Sequence, residues 1–220
     1  MKQYIRSYQM FFPGNYIWVK LLLYIIYPVF TIGAARFFLP LPGGAFICLV
    51  MAPFITTIEI MFDYFFFGGI AAKDTGRLEY LKTSCRGMVS LKKGLIVDAV
   101  RRLGSMAVIE LGIYVMIGNK IRKEDGVSIF QAAFFLFLSF LIVELALCLT
   151  RFFTDVWVSV LVYCLVEMLW MGIIMQIHWH VFMGTAKIFL ILALVVAGAG
   201  VVWFNIKIIM KRAERSYYDV

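Results

Sequence analysis

The feature that most constrains this chain is a series of six long apolar runs separated by short polar connections. The runs cover residues 16–38, 45–72, 103–118, 127–150, 155–176 and 186–210. A helix needs about 20 apolar residues to cross a bilayer, and five of the runs meet that length. The third is short, and its helix must continue back through 95–97 to make up the length. The pattern predicts six transmembrane helices, the first of them an uncleaved span rather than a secretory signal.

The balance of apolar and charged residues excludes a soluble fold. Hydrophobic residues make up 63% of the 220 and charged residues only 15%, whereas soluble domains are roughly 45–50% apolar. So few charges cannot cover the surface of a globule that faces water. We therefore expect an all-α, polytopic membrane protein of the plasma membrane, with residues 1–220 forming a single transmembrane domain.

The distribution of Lys and Arg predicts the orientation of the spans. With the N-terminus inside, the outer side holds only Arg36, Lys120, Arg122, Lys123 and Lys187, and the other sixteen of the 21 basic residues lie inside. This positive-inside bias predicts that both termini and the polar loop 73–102 are cytoplasmic. Basic residues beside apolar runs also account for the net charge of +8, so we expect no nucleic-acid partner.

The segment before the first run has the composition of a helix that lies in the membrane interface. Residues 4–13 combine aromatic and aliphatic side chains with Arg6 and Gln9. Such a mixture is typical of an amphipathic interfacial helix. Pro13 and Gly14 follow it and turn the chain toward the first span.

The loop 73–102 contains two predicted helical segments. Residues 77–82 form a short amphipathic stretch that Thr83 and Ser84 interrupt, and apolar residues recur at helical spacing from 88 to 99. A short surface helix of this kind can present Leu78, Tyr80 and Leu81 to a soluble partner. The alternative interpretation is a solvated loop lying on lipid headgroups.

The second segment of this loop also contains a local charge pattern. Asp98 stands three residues before Arg101 and four before Arg102, so it can pair with either guanidinium on one helix face.

Acidic residues inside the apolar runs are the candidate functional groups. Glu59 and Asp63 lie four apart in the second run, Glu110 in the third, Glu144 in the fourth and Glu167 in the fifth. A carboxylate in hydrocarbon is costly, so each should face the bundle interior, a partner or a water-filled cavity. They line a translocation pathway or proton relay, or they are neutral or paired structural residues. Glu59 and Glu144 have no obvious basic partner in the sequence.

Sequence motifs for catalysis and for metal binding are absent. The chain has no GxxxxGK[ST] phosphate loop, no HExxH and no GxSxG. Its two histidines, His178 and His180, flank Trp179 as in an interfacial belt, and its four cysteines are scattered. We therefore expect no catalytic residue, metal site or cofactor in this chain.

The aromatic segment 4–12, the six runs and the loop segment 78–84 occur in the order found in one transporter family. In this respect the chain resembles the membrane subunits of ABC-2 type exporters. It looks most like the short permeases of Gram-positive bacteria whose ATPase is a separate chain. The resemblance covers the whole length and is one of architecture; the outer loop before the sixth run is shorter than in many relatives.

The resemblance implies how the chain would work. A coupling helix between spans two and three would sit in a cleft of a separate ABC ATPase subunit, which binds ATP and Mg. A second permease copy, identical or a sibling chain, would complete the pathway as a dimer. The implied coupling residues are Leu78, Glu79, Tyr80, Leu81, Lys82, Thr83, Ser84 and Arg86. The implied pathway residues, on spans two and five, are Glu59, Asp63 and Glu167, whereas Glu110 and Glu144 receive no assigned role.

We therefore expect a non-enzymatic transmembrane subunit that exports an amphipathic or hydrophobic cargo, peptide or lipid-like. The aromatic and Met-rich stretches 62–67 and 168–175 suit such a cargo, although ordinary packing against lipid and core is the alternative. Two other functions fit the same sequence. One is a self-contained carrier or channel that uses the intramembrane acids as proton or cation sites. The other is a membrane scaffold or accessory protein.

Overall fold

The computed structural model describes residues 2–11, 16–40, 44, 55, 58–63, 66–67, 81, 83–84, 86–124, 128–152, 161, 165 and 186–215. The regular structure of these residues is entirely helical, as predicted. The second run is described only in part, and the fifth only at residues 161 and 165. Several predicted site residues lie outside the described residues: Leu78, Glu79, Tyr80, Lys82 and Glu167.

The described helices are α1 (Lys2–Gln9), α2 (Tyr16–Leu21), α3 (Tyr27–Phe38), α4 (Gly87–Glu124), α5 (Ile129–Phe152) and α6 (Ala186–Arg215). A π-helical turn, Leu22–Ile26, joins α2 to α3. The residues on either side of this turn keep right-handed helical backbone angles, so α2, the turn and α3 form one continuous helix. Residues 58–63 of the second run are also helical.

Three helices are long and apolar enough to cross a membrane. They are Ile17–Phe38, Ile129–Arg151 and Ile188–Lys211. These helices correspond to the first, fourth and sixth predicted runs, with bounds within two residues of the prediction. Helices of this length and composition are those of a membrane protein.

The third run lies within α4, which is not among these three helices. α4 begins at Gly87 and continues without interruption from the second segment of the loop into residues 103–118, as the helical spacing predicted. Gly118 has a φ of 72°, a left-handed conformation that glycine adopts without steric strain, and it interrupts the helix where the predicted run ends. The apolar part of α4 is short and contains Glu110.

The N-terminal helix packs on α4. α1 is placed differently from the predicted helix 4–13: it starts at Lys2, ends at Gln9, and is followed by a turn in which the Phe11 N–H donates to the Tyr8 carbonyl at 3.0 Å. Phe11 then lies against Gly94 of α4, where an added Cβ would stand only 2.9 Å from the ring. The lack of a side chain at Gly94 thus allows the two helices to approach closely.

Aromatic residues of the second run lie in the core with those of α1. The rings of Phe62 and Phe66 stack with centroids 6.1 Å apart, and Phe66 meets Tyr8 edge-on at 5.8 Å. Phe67 lies 5.2 Å from Phe11. Phe62, Phe66 and Phe67 are at most 3% exposed. In this structure these three rings pack against other residues of the chain. This agrees with ordinary packing, the alternative to cargo contact that the sequence left open for the stretch 62–67.

Candidate functional site

Buried charged residues of three helical segments gather into one ion-pair network. α4 contributes three neighbouring members, and one comes from the second run and one from α5. No side chain in the network is more than 4% exposed. Its charged members are Glu59, Asp98, Arg101, Arg102 and Glu144.

Arg101 connects α4 to the second run. Its guanidinium donates to both carboxylate oxygens of Glu59, from Nη1 to Oε1 at 3.1 Å and from Nη2 to Oε2 at 2.6 Å. Its Nε donates to Oδ1 of Asp98 at 3.1 Å. A two-point contact between planar groups fixes the relative orientation of the two side chains as well as their distance.

Arg102 connects α4 to α5. Its Nε donates to Oε1 of Glu144 at 2.8 Å, and its Nη1 donates to Oδ2 of Asp98. Asp98 therefore accepts hydrogen bonds from both arginines, one at each oxygen. The sequence predicted pairing with either arginine, and the structure confirms it with both.

Two neutral side chains extend the network to α1 and α6. The Tyr8 hydroxyl donates to Oδ1 of Asp98 at 2.8 Å. The Asn205 amide nitrogen donates to Oε2 and to the backbone carbonyl oxygen of Glu144, both at 2.9 Å. The network holds three carboxylates but only two guanidiniums. The hydroxyl and amide groups therefore donate hydrogen bonds to carboxylate oxygens for which the guanidiniums do not suffice.

The surroundings of Asp98 and Tyr8 keep the carboxylate ionised and the hydroxyl protonated. Burial raises the pKa of Asp98, but the guanidiniums of Arg102 and Arg101 outweigh it and bring the pKa to about 2. Burial, and then the Asp98 carboxylate, raise the pKa of Tyr8 above its ordinary value, so its hydroxyl keeps the proton that it donates. Asp98 thus remains ionised at neutral pH. Its contribution to stability is present above about pH 4 and is lost only as the pH falls to about 2.

A second, separate ion pair joins the second run to α5. Arg151 donates from Nε to Oδ2 of Asp63 at 3.0 Å and from Nη2 to Oδ1 of the same carboxylate. Both side chains are at most 10% exposed. Arg151 lies near the end of α5, and Asp63 lies one helical turn beyond Glu59, so this pair is closer than Glu59 to the predicted cytoplasmic end of the second run.

Three of the acidic residues predicted as candidates are therefore paired. Glu59, Asp63 and Glu144 each accept hydrogen bonds from an arginine. This arrangement fits the interpretation of paired structural residues. Sequence reasoning did not identify their partners, since each arginine is at least 42 residues away in the chain on a different helix.

Glu110 has a different environment. Its side chain is buried in α4, at 2% exposure for the residue, and neither carboxylate oxygen has a hydrogen-bond partner. A buried polar group without a partner is uncommon in folded proteins and calls for an explanation.

The described part of the predicted coupling segment is partly inside the chain. Leu81 is 3% exposed and belongs to the hydrophobic core, so in this structure it does not face a partner, contrary to the prediction. The Ser84 hydroxyl donates to the Leu81 carbonyl at 3.4 Å, and the Gly87 N–H donates to the Ser84 carbonyl at 3.1 Å. Thr83 and Arg86 are exposed. Of the predicted coupling residues that the structure describes, these two are the most accessible to a partner.

Among the described residues, no three His, Cys, Asp or Glu side chains form a group that could hold a metal ion. No protein family, curated protein or solved structure matches this chain. The arrangement of its own residues is therefore the basis for a functional proposal.

Proposed function

We propose that this chain is the transmembrane subunit of an ATP-driven exporter of the ABC-2 type. It would act with a separate ATPase and a second permease copy. One observation carries the proposal. α4 begins at Gly87, within the loop predicted to be cytoplasmic, and about three to four turns later Asp98, Arg101 and Arg102 bind it to the second run and to α5 through buried ion pairs.

Such a connection suits the transmission of force from a loop to a helix bundle. Separating Arg101 from Glu59, or Arg102 from Glu144, would leave uncompensated charges in a dry site, at a cost of about 3–5 kcal/mol. When a partner ATPase moves the loop, α4 carries its paired helices with it instead of sliding past them. ATP drives the change because the ATP-bound ATPase has a higher affinity for one state of the bundle than for the other.

The interfacial helix would follow the same movement. Tyr8 bonds to Asp98, and Phe11 packs at Gly94, so α1 is attached to the loop-proximal half of α4. In this proposal both termini are cytoplasmic, and the cargo is amphipathic or hydrophobic.

The coupling segment provides the direct test. We expect an ABC ATPase encoded beside this chain to co-purify with it. Leu78→Asp and Tyr80→Asp should each lower ATP-dependent export at least tenfold and release the ATPase, since a buried charge opposes docking in an apolar cleft. The thermal stability of the purified chain should stay unchanged.

Val89→Asp is the matched control, because Val89 is an exposed apolar residue just beyond the segment. It introduces the same charge near the loop and should leave both export and co-purification intact. Normal export by both the Leu78 and the Tyr80 variants would overturn the coupling role.

Glu110 favours a second candidate function, a self-contained carrier. An unpartnered buried carboxyl on a predicted span can take up and release a proton or a cation during transport. In that case the purified chain in liposomes would transport its substrate under a proton gradient without ATP.

Replacing Glu110 discriminates the two functions. If it is not a transport site, Glu110→Leu should raise the free energy of unfolding by about 1–3 kcal/mol, because an unsatisfied buried polar group is removed. ATP-dependent export should persist. If the chain is a proton-coupled carrier, Glu110→Gln should abolish gradient-driven uptake. Uptake assays in liposomes and unfolding titrations in detergent measure the two outcomes.

A further inference from the structure

A groove with a volume of about 780 Å³ lies between α4, α5 and α6. Its volume falls within the roughly 300–1,000 Å³ of small-molecule sites in proteins. Most of its lining is aliphatic or aromatic, with Leu103 on α4, Phe137 and Phe140 on α5, and Val195 and Ala199 on α6.

The polar groups of the groove lie at one end. Asn205 reaches Glu144, and Phe140 contacts the position of Gly198, so α5 and α6 run in the same direction. α4 runs opposite to α5 because a short connection joins them. Lys92, near the start of α4, therefore lies at the same end as Lys207 and Glu214 of α6.

The apolar part of the groove has the length of one membrane leaflet. Val195 and Lys207 are twelve positions apart on α6, or about 18 Å along the helix axis. One leaflet contributes about 15 Å of hydrocarbon. The lysine end is also the end at which α4 leaves the predicted cytoplasmic loop, so the polar groups stand at headgroup level and the apolar wall at the level of the acyl chains.

Lys207 is positioned as a residue of the membrane interface. Its ammonium nitrogen lies 5.0 Å from the centre of the Trp203 ring, and Trp203 is 64% exposed. Exposed tryptophan with a lysine next to it is typical of the headgroup boundary, where the ring meets acyl chains and the ammonium meets phosphate. Two lysines against one glutamate leave an excess of positive charge at this end.

We propose that this groove binds one anionic membrane phospholipid. Its acyl chain lies along the apolar wall, and its phosphate lies at the end that carries Lys92 and Lys207. A leaflet-long apolar wall with a cationic end fits such an amphiphile. A wholly apolar ligand would leave the lysines without a partner, and a wholly polar ligand would leave the apolar wall uncovered. The proposal is independent of any ATPase partner.

Quenching of Trp203 fluorescence by brominated lipids tests the site in the intact chain. The chain is reconstituted in bilayers that contain brominated phosphatidylglycerol or brominated phosphatidylcholine at equal mole fraction. The contribution of Trp203 is obtained by difference from Trp203→Phe. We expect the Trp203 site to prefer phosphatidylglycerol about fivefold, the effect of one uncompensated lysine close to an anionic headgroup.

Three variants separate groove binding from general attraction to the membrane surface. Lys207→Gln should bring the preference close to one. Lys211→Gln, the matched control, removes an exposed lysine that does not line the groove and should leave the preference unchanged. Ala199→Phe, which fills the apolar wall, should lower quenching by either lipid.

The proposal is overturned if the two lipids quench Trp203 equally in the parent chain. It is also overturned if Lys211→Gln acts as strongly as Lys207→Gln, which would show headgroup attraction at the surface only. Finally, the proposal is overturned if neither lipid quenches Trp203 and chains that carry Val195→Cys cross-link to each other. That result would assign the groove to a second copy of this chain.

Discussion

Replacing Arg102 with methionine is expected to lower the free energy of unfolding by about 3–5 kcal/mol, a large effect for a single substitution. The variant would leave Glu144 and one oxygen of Asp98 buried without their cationic partner. A buried charge in that position has neither water nor a counter-ion. Removing one partner of a buried pair therefore lowers the stability more than replacing both partners with apolar residues. Unfolding titrations of the purified chain in mixed detergent measure the change.

Two further variants make the result specific. Arg102→Lys keeps the charge but loses the planar fork that reaches two carboxylates, so we expect an intermediate loss. Arg36→Met removes an exposed arginine from α3 and should change the stability by less than about 0.5 kcal/mol. Equal stability of the Arg102 and Arg36 variants would show that the network contributes little to the fold.

The pair of Asp63 and Arg151 is expected to show strong coupling in a double-mutant cycle. Asp63→Leu and Arg151→Met should each cost about 3–5 kcal/mol, because each leaves the partner charge buried. The double variant should cost much less than the sum of the two single effects, since it removes both charges together.

The reversed pair adds a test of geometry. A chain with Asp63→Arg and Arg151→Asp restores opposite charges across the same two helices, and we expect it to regain part of the lost stability. Additive effects of the two single substitutions would mean that the residues do not depend on each other. In that case the contact between the second run and α5 would be incidental to the fold.

Local features of this fold were predictable from sequence. The first, fourth and sixth runs became helices whose ends match the prediction within two residues, because span length and hydropathy are properties of a contiguous segment. The pairing of Asp98 with Arg101 and Arg102 was predictable for the same reason, since helical spacing places these residues on one face.

Contacts between helices were not predictable in the same way. The partners of Glu59 and Glu144 depend on the rotation and the register of each helix in the bundle, and one sequence contains neither quantity. The same limit applies to Leu81. An amphipathic segment has an apolar face, but its sequence does not tell whether that face meets another protein or the chain's own core, and here it meets the core. The groove between α4, α5 and α6 also arises only when the three helices are packed.

The order of residues in the network has a consequence for biogenesis. Glu59 precedes Arg101 by 42 positions, whereas Glu144 follows Arg102 by 42. As the chain emerges from the ribosome, Arg101 finds its carboxylate already synthesised, but Arg102 has only Asp98 until α5 is made. Until then Arg102 shares Asp98 with Arg101 and lacks its second carboxylate partner, so the contact between α4 and α5 cannot yet form. The arrival of Glu144, and later of Asn205, then completes the network across α4, α5 and α6.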